Sequence, residues 1–390
     1  RGLGPMNQMN TSNMHAKVLI MAGGTGGHIF PALTIAQELL ARGTTVEWLG
    51  TRNGLEAKII GATAIPLHFI SIGGLRGKGL LSLLLAPFTI VRAVIQSLRT
   101  ISRIKPGCVL GMGGFVTGPG GIAARLLGLK LLIHEQNAIA GLSNQLLFPF
   151  AHIVMEAFPG AFRRKQQLSG RFISKLASPL KIRHVGNPVR AEILTIPGIE
   201  TRFEQRTGPL RVLVLGGSLG AIAINKMVPQ LLTILAGTAQ LQVRHQCGDK
   251  NLDATRLFYQ DEKIELNDDV QLLPFIDDMA EAYTWADVLV CRSGASTIAE
   301  IAVVGIPAIL VPYPFAVDDH QTANAEVLKS AGAAWILPQS ELSAESVSSI
   351  LLALDKNRML LLQHARATQS VAVRDASIRA ATFCQEACNG

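Results

Sequence analysis

The feature that most constrains the fold is a pattern that occurs twice: an apolar run, a glycine-rich turn and then a helical pattern. The first copy begins at Lys17 and has its turn at 23–27, and the second begins at Arg211 and has its turn at 216–220. Short apolar runs that alternate with helical stretches are typical of parallel sheets. We therefore predict an α/β fold of two Rossmann-like parallel-sheet domains that face each other across a cleft.

Length and breaker residues define the predicted domain organisation. A chain of 390 residues is too long for one ordinary hydrophobic core. The polar stretch between Pro197 and Pro209 is flanked by Gly and Pro, which suits a linker. We predict, in chain order, a tag or disordered tail at 1–14, an N-terminal domain at 15–196, a linker at 197–209, a C-terminal domain at 210–371 and a last helix at 372–390.

Composition narrows the class of protein and its partners. With 48% hydrophobic and 16% charged residues, the chain has the composition of a globular protein. Its formal net charge of +8 favours anionic partners such as phosphates, lipid headgroups or nucleic acid. Aromatic residues make up only 5%, and the sequence has no zinc-finger spacing or basic helix, so we predict no nucleic-acid partner.

Cysteine usage and apolar stretches bear on the compartment. The five cysteines are odd in number and scattered, which is typical of a reduced, intracellular protein. Residues 1–14 contain no apolar segment, so we expect no secretion signal. No uncharged apolar stretch reaches the roughly 20 residues that a membrane-spanning helix needs.

The stretch 80–91 is the best candidate for contact with a membrane surface. It is apolar, contains Pro87, and is followed by Arg92 and Arg99. Such a helix can lie on a membrane with its basic residues near the headgroups. It can equally pack on its own sheet, because periodicity does not distinguish a core-facing stripe from a lipid-facing one.

The glycine-rich turns are candidate phosphate sites. Glycines after a strand let backbone amides approach a phosphate, and the following helix N-terminus favours negative charge. Neither turn fits the dinucleotide or P-loop fingerprint, which disfavours an oxidoreductase and excludes a P-loop NTPase. A third glycine cluster at 111–121 suits either phosphate contact or a tight strand-to-helix turn.

Polar side chains follow several predicted strands. His134 to Asn137 come directly after the apolar run 131–133, and Glu300 falls early in the helix after the run 288–290. Residues at the carboxyl ends of parallel strands face the ligand site in such folds. Glu300 is either an ordinary N-terminal helix carboxylate or an acceptor for sugar hydroxyls.

Eight short motifs in order resemble the MurG family of N-acetylglucosaminyltransferases. They lie at 23–28, 74–79, 112–121, 134–137, 186–190, 216–218, 275–278 and 291–294. The resemblance implies the GT-B architecture, with the last helix returning to the first domain, and no bound metal or cofactor. It implies inverting transfer of N-acetylglucosamine from UDP-N-acetylglucosamine to the 4-hydroxyl of the muramoyl sugar of lipid I, which gives lipid II in peptidoglycan synthesis.

The same resemblance implies roles for individual residues. The implied donor site consists of Thr25, Gly26, Gly27, Asn137, Arg190, Ser218, Ile276, Ala295, Ser296, Thr297, Ile298, Ala299, Glu300, His320 and Gln321. The implied acceptor site consists of Gly113, Gly114, Gly118, Gly120 and Gly121, and the loop at 25–27 would also face the acceptor diphosphate.

His28 is our candidate general base, because the ordinary pKa of histidine lies near neutrality and its loop is expected to face the donor domain. A histidine in a glycine loop can instead cap the helix or hold the loop by a hydrogen bond.

Two departures from the family pattern stand out. The stretch 163–183 is long and basic, and His320 stands where some relatives have Gln.

The implied partners are UDP-N-acetylglucosamine, the lipid I acceptor and an anionic membrane surface, with cell-wall synthesis or division proteins as further candidates. The implied location is peripheral, at the cytoplasmic face of the cell inner membrane. Two alternatives stay open: a UDP-N-acetylglucosamine 2-epimerase of the same fold, which would need no lipid acceptor, and a catalytically silent sugar-nucleotide sensor.

Overall fold

The chain divides into two compact units. The computed structural model describes residues 16–73, 85–163, 181–203, 206–217 and 220–389. The first unit contains the residues up to 136, 140–188 and those from 375 onwards, and the second contains 137–139 and 189–374. The predicted α/β class with two parallel-sheet units is confirmed.

The first unit is built on a parallel sheet. In the described residues it has seven strands in the order β3-β2-β1-β4-β5-β6-β7. The strands are β1 Lys17–Met21, β2 Thr45–Gly50, β3 Leu67–Phe69, β4 Cys108–Gly111, β5 Lys130–Glu135, β6 Ile153–Glu156 and β7 Ile182–His184. The order reverses between β1 and β4, which is the point where ligands bind in open sheets of this type.

Helices cover both faces of this sheet. They are α1 Gly26–Ala41, α2 Leu55–Gly61, α3 Ala86–Ile104, α4 Thr117–Leu126 and α5 Leu142–Leu147, with a short 3-10 turn at Phe148–Phe150. Successive residues of a strand point to opposite faces. Accordingly Val18 and Ile20 belong to one buried cluster, and Leu19 and Met21 belong to another on the opposite face.

The second unit repeats the design. In its described residues six parallel strands run in the order β10-β9-β8-β11-β12-β13, and the order reverses between β8 and β11. The strands are β8 Leu210–Leu215, β9 Leu241–Gln246, β10 Val270–Leu273, β11 Val288–Cys291, β12 Ala308–Leu310 and β13 Ala334–Ile336.

The helices of the second unit precede, connect and follow these strands. They are α6 Ala191–Leu194, α7 Ile199–Phe203, α8 Ile222–Leu235, α9 Leu252–Asp261, α10 Met279–Trp285, α11 Ala295–Val304, α12 His320–Ser330, α13 Ala344–Lys356 and α14 Arg358–Gln369, with 3-10 turns at Asp249–Asn251 and Val317–Asp319.

The segment 197–209, which the sequence predicts to be a linker, lies within the second unit. It is anchored there by Arg202, whose guanidinium donates to the carbonyl oxygens of Pro197 at 3.1 Å and Gly305 at 3.1 Å. Arg202 is buried, and this desolvation lowers its pKa to about 10. Polar composition alone did not reveal this buried role.

The last helix, α15 Ala376–Asn389, belongs to the first unit. Small residues such as Ala380, Ala381 and Cys384 bury one side of it in the same cluster as Val18. Two polar contacts fix it to the region that follows α1: Gln385 Nε2 donates to Thr44 Oγ1 at 2.9 Å, and Arg42 donates to Thr382 Oγ1 at 2.9 Å.

Candidate active site

The first glycine loop, residues 23–27, connects β1 to α1 and is held by a buried carboxylate. Glu56 of α2 is fully buried, and it accepts hydrogen bonds from the Gly24 amide at 3.2 Å and from the Thr51 amide and hydroxyl at 2.8 and 2.7 Å. These bonds fix the start of the loop. Thr25 and Gly27 remain exposed at the N-terminus of α1, where anions are favoured.

A second loop, which connects β4 to α4, packs directly against the first. Gly113 and Gly114 have φ values of 97° and 79°, which side-chain-bearing residues rarely adopt. A Cβ at Gly114 would overlap the carbonyl oxygen of Gly23, and one at Gly113 would lie 2.9 Å from the His28 ring. Both positions therefore require glycine for close approach as well as for conformation.

The remaining predicted acceptor glycines lie in α4 and divide into two groups. Gly118 is partly exposed, and a Cβ there would meet nothing within 4 Å. Gly120 and Gly121 are buried against Met21 and Leu147, so they serve the packing of α4 on the sheet and on α5. The assignment of these glycines to an acceptor site stays a prediction.

His28 is the first member of a hydrogen-bonded series in the first unit. Its Nδ1 lies 2.9 Å from Gln136 Oε1, Gln136 Nε2 lies 3.2 Å from His134 Nδ1, and His134 Nε2 lies 3.0 Å from the carbonyl oxygen of Gly186. Gln136 and His134 are buried, whereas His28 is half-buried. Burial lowers the pKa of His134 to about 4, so that ring is neutral near pH 7.

In the second unit, the loop between β8 and α8 is held by an amide. Gln246, at the end of β9, accepts from the Gly217 amide at 3.1 Å and donates to the Gly217 carbonyl at 3.1 Å. Asn251 closes the other side, because a Cβ at Gly220 would overlap its side-chain nitrogen. Ser218, predicted to contact the donor diphosphate, lies outside the described residues.

Glu300 of α11 lies in a partly buried ion pair. Its Oε1 is 3.2 Å from Arg190 Nη2, and its Oε2 accepts from the Tyr283 hydroxyl at 2.9 Å. Burial raises the pKa of Glu300, and Arg190 and Tyr283 counter this by stabilising the carboxylate. Desolvation by burial is also the main cause that raises the pKa of Tyr283. Its hydroxyl therefore stays protonated and donates.

The first turn of α11 carries the other predicted donor residues of this helix. Ala295 and Ile298 are buried and belong to the packing, whereas Ser296, Thr297 and Ala299 are partly exposed. The hydroxyl oxygen of Ser296 is shielded from water and has no hydrogen-bond partner among the described residues. A ligand oxygen at this helix N-terminus would supply one.

The opposite end of α11 is bound by two guanidinium groups. Arg202 donates to Gly305 O and also to Val304 O, and Arg374 donates to Val303 O at 3.1 Å. Cations at a helix C-terminus stabilise the helix and complement its dipole. These contacts fix the position of the helix that carries Glu300.

A buried asparagine positions Asn137, which lies with 138 and 139 in the second unit. Asn324 of α12 donates to Asn137 Oδ1 at 3.2 Å and to Ser293 O at 3.1 Å, and it accepts from the Ala138 amide at 2.8 Å. One bond from this fully buried side chain therefore holds the predicted sugar-binding residue directly, and a second holds its neighbour Ala138.

The last three predicted donor residues lie in loops or at helix ends of the second unit. Ile276 lies between β10 and α10. His320 and Gln321 begin α12, and Gln321 Oε1 accepts from the Tyr313 amide at 2.9 Å while its carbonyl accepts from Ser293 at 2.8 Å. Gln321 is therefore held by local contacts.

The structure thus brings the predicted residues together in two groups. Thr25, Gly26, Gly27 and His28 join the second glycine loop in the first unit, and Arg190 joins Glu300 in the second. Four residues that received no role from the sequence support the predicted site residues: Glu56, Gln246, Tyr283 and Asn324. In the part of the chain that the structure describes, no group of three or more His, Cys, Asp or Glu side chains could hold a metal ion.

Comparison with known families gives an identification. The family model of the glycosyltransferase family 28 N-terminal domain matches residues 18–156, and that of the family 28 C-terminal domain matches residues 211–379. The chain belongs to glycosyltransferase family 28. The first matched region contains strands β2 to β6 and nearly all of β1, and the second contains strands β9 to β13 and nearly all of β8.

Individual relatives agree with the resemblance to the MurG family, which is confirmed. The chain is 49% identical over 380 residues to the UDP-N-acetylglucosamine--N-acetylmuramyl-(pentapeptide) pyrophosphoryl-undecaprenol N-acetylglucosamine transferase of Marinobacter nauticus, covering 97% of this chain and 100% of the relative. The crystal structure of Acinetobacter baumannii MurG matches with a TM-score of 0.79 and 40% identity, covering 95% of this chain and 99% of that one.

A more distant match bears on the epimerase alternative. The UDP-GlcNAc 2-epimerase of Neisseria meningitidis matches with a TM-score of 0.64 but only 13% identity, over 95% of this chain and 100% of that one. Likeness at that level shows a shared fold alone.

Proposed function

We infer that this family 28 enzyme transfers N-acetylglucosamine from UDP-N-acetylglucosamine to N-acetylmuramyl-(pentapeptide) pyrophosphoryl-undecaprenol, converting lipid I into lipid II. The observation that carries the inference is the 49% identity to a transferase of that name over its whole length. The epimerase that shares the fold is far more distant, at 13% identity.

The second unit supplies the proposed donor site. Glu300, held between Arg190 and Tyr283, is an oriented carboxylate that can accept hydrogen bonds from the ribose hydroxyls. The unpartnered Ser296 hydroxyl at the start of α11 suits a phosphate or sugar oxygen. Asn137, positioned by Asn324, is proposed to bind the transferred sugar, together with His320 and Gln321.

The first unit supplies the proposed acceptor site and the base. The two glycine loops pack together and leave Thr25 and Gly27 exposed, an arrangement that suits the acceptor diphosphate. His28, beside Gly113, is proposed to take the proton from the 4-hydroxyl of the muramoyl sugar as that oxygen attacks C1 of the donor sugar.

We propose that the reaction needs no metal or cofactor. The leaving UDP gains negative charge, which Arg190 and the N-termini of α8 and α11 can stabilise. α8 begins directly after the second-unit glycine loop, and α11 carries Ser296 in its first turn.

The proposed site of membrane contact is an apolar surface on α3, α4 and α5, defined by Phe88, Val91, Leu126, Leu142 and Leu146. Their side chains range from 57% to 74% exposed. α3 packs against α4, and α4 packs against α5, so these side chains lie on neighbouring helices. Part of the predicted stretch 80–91, namely 80–84, and most of the basic stretch 163–183 lie outside the described residues.

Exposed arginines accompany this surface. Arg92 and Arg99 lie on α3, and Arg125 lies on α4. Apolar side chains flanked by cations match an anionic membrane. No helix in the described ranges is long and apolar enough to cross a bilayer. We therefore propose peripheral binding at the cytoplasmic face of the inner membrane, where proteins of cell-wall synthesis or division are further candidate partners.

The decisive experiment measures UDP release from UDP-N-acetylglucosamine by purified protein, with and without a lipid I analogue, and with and without a chelator. Release that requires the analogue and survives chelation supports metal-independent transfer. Release that is indifferent to the analogue favours the epimerase, and no release favours the silent sensor.

A second experiment tests the membrane surface. Replacing Phe88 and Val91 with Ser is expected to reduce sedimentation of the protein with liposomes that contain anionic lipid. The matched control replaces Leu257 and Met359 with Ser, because both are exposed apolar residues of the second unit. Equal binding by both variants and wild type would assign membrane contact to another surface.

A further inference from the structure

The series of hydrogen bonds that begins at His28 has a fixed direction. It ends at the carbonyl oxygen of Gly186, which can only accept, so His134 Nε2, 3.0 Å away, carries the hydrogen and donates. Because buried His134 is neutral, its other nitrogen, Nδ1, has a lone pair that must accept.

The direction at His134 determines the orientation of the next side chain. Only the amide nitrogen of Gln136 can donate to His134 Nδ1, and it lies 3.2 Å away. The same nitrogen lies 3.4 Å from His134 O. The amide oxygen of Gln136 therefore faces His28 Nδ1 at 2.9 Å, and an amide oxygen can only accept.

We propose that Gln136 and His134 are positioning residues that fix His28 in the tautomer with hydrogen on Nδ1 and the lone pair on Nε2. This inference rests on the proposed function, because it assigns the atom that acts as base in the transfer. Gly113 supports the arrangement, since the close approach of its backbone to the ring leaves no room for a side chain there.

The proton and electrons balance as follows. The acceptor hydroxyl oxygen forms a bond to C1 of N-acetylglucosamine, while the bond between C1 and the phosphate oxygen breaks and its electron pair leaves with UDP. The hydroxyl proton passes to His28 Nε2. The resulting imidazolium still donates its Nδ1–H to Gln136 Oε1. The proton on Nε2 is then released to solvent.

The other tautomer would be inactive as a base. It carries hydrogen on Nε2 and presents a donor to the acceptor hydroxyl instead of a lone pair. It would also place the Nδ1 lone pair against the Gln136 oxygen, which is repulsive. Where a catalytic histidine is held in its wrong tautomer, kcat falls by as much as about 10⁴-fold.

The first test is a ¹⁵N NMR spectrum of histidine-labelled wild-type protein at a pH where His28 is neutral, with the His28 signals assigned by comparison with His28→Ala. We expect a protonated Nδ1 and an unprotonated Nε2 for His28, and the reverse pattern for His134. A hydrogen on Nε2 of neutral His28 overturns the proposal. This measurement needs no substrate, so it stands even if the proposed transfer fails.

The second test is kinetic. Gln136→Leu removes the acceptor for Nδ1–H, and we expect kcat to fall about 10- to 100-fold with little change in KM for UDP-N-acetylglucosamine. Gln136→Glu keeps an acceptor oxygen there and is expected to recover part of the loss. A Glu variant that folds and is no better than the Leu variant counts against the proposal.

Gln385→Leu is the matched control. It is the same substitution in the same unit, and it removes the bonds of Gln385 to Thr44 and Arg42 without touching the series. Stability should fall in both Leu variants, but kcat only in Gln136→Leu. In a His28→Ala background, Gln136→Leu should cost almost nothing further, because it acts through His28. A full additional loss would mean that Gln136 acts by another route.

Discussion

The two units fix their glycine loops with opposite chemistry. In the first unit the anchor is a buried carboxylate, Glu56, which accepts from the Gly24 amide at 3.2 Å. In the second unit the anchor is a neutral amide, Gln246, which both accepts from and donates to Gly217. The same strand, loop and helix pattern can therefore be anchored by a carboxylate or by a neutral amide.

The polar groups next to the loops also differ, but here the charged pair lies in the second unit. The first unit has the series of hydrogen bonds from His28 to Gly186, in which buried His134 is neutral, whereas the second has the ion pair of Arg190 with Glu300. This contrast suggests a division of work. Under the proposed function, the first unit would accept a proton, which needs an unprotonated nitrogen, and the second would bind and stabilise a charged nucleotide. The predictions below compare the two units in their reaction kinetics and in their stability.

The largest expected effect is on the proton acceptor. His28→Ala should lower kcat by about 10²- to 10⁴-fold, because general base catalysis contributes that much. KM for UDP-N-acetylglucosamine should change little, since the contacts proposed for the nucleotide belong to the second unit. Steady-state rates of UDP release with a lipid I analogue measure both. A variant that loses donor affinity but keeps kcat would contradict the division.

The next effect is on stability in acid, where each unit contributes one buried neutral histidine. Burial lowers the pKa of His134 to about 4 and that of His245 to about 3, from 6.5. Above pH 6.5 neither folded nor unfolded histidine is protonated. Between pH 6.5 and 4 only the unfolded state binds the proton. The free energy of unfolding therefore falls as the pH is lowered, by roughly 3 kcal/mol for His134.

Urea unfolding at pH 7.5, 5.5 and 4.5 measures this loss. His245 accepts from the Tyr259 hydroxyl at 2.9 Å and donates to Asn225 Oδ1 at 3.1 Å. His245→Asn is less stable at pH 7.5 but should lose less stability between pH 6.5 and 4 than wild type. Equal slopes for variant and wild type would show that His245 does not resist protonation in the folded state.

A smaller effect is expected on the binding of UDP-N-acetylglucosamine at the proposed donor site. Tyr283→Phe removes one hydrogen bond to the Glu300 carboxylate, which is worth about 1.5 to 3 kcal/mol when the partner is charged. We expect KM for UDP-N-acetylglucosamine to rise about 10-fold, with a smaller effect on kcat. Tyr259→Phe is the control, because it also removes one buried tyrosine hydroxyl bond in the same unit. If both variants bind the donor equally well, Tyr283 does not position Glu300.

Local sequence patterns predicted the elements that carry the site. The apolar runs that begin at Lys17 and Arg211 form strands β1 and β8, and helices α1 and α8 follow them as expected. The ordered motifs predicted the family, which is confirmed. These features are local, since a strand, its loop and the next helix are adjacent in the chain.

The roles of the supporting residues were missed because their partners are distant in sequence. Glu56 binds Gly24 across 32 positions, Gln246 binds Gly217 across 29, and Asn324 binds Asn137 across 187. Such pairs depend on which strands become neighbours, and periodicity does not determine that. Likewise, polar composition gave no sign that Arg202 is buried, because the carbonyl oxygen of Gly305 that it binds lies 103 positions away.

The smallest expected effect comes from exchanging the charge beneath the two loops. Gln246→Glu loses the bonds to Gly217 O and Pro274 O. It also places a carboxylate near the proposed site for the diphosphate of UDP. Repulsion should raise KM for UDP-N-acetylglucosamine about 3- to 10-fold, with less effect at high salt. Glu56→Gln removes a charge but keeps one acceptor oxygen, so it should leave that KM unchanged and alter only acceptor kinetics. If both variants change donor KM equally, the difference between the two anchors has no bearing on which substrate each loop binds.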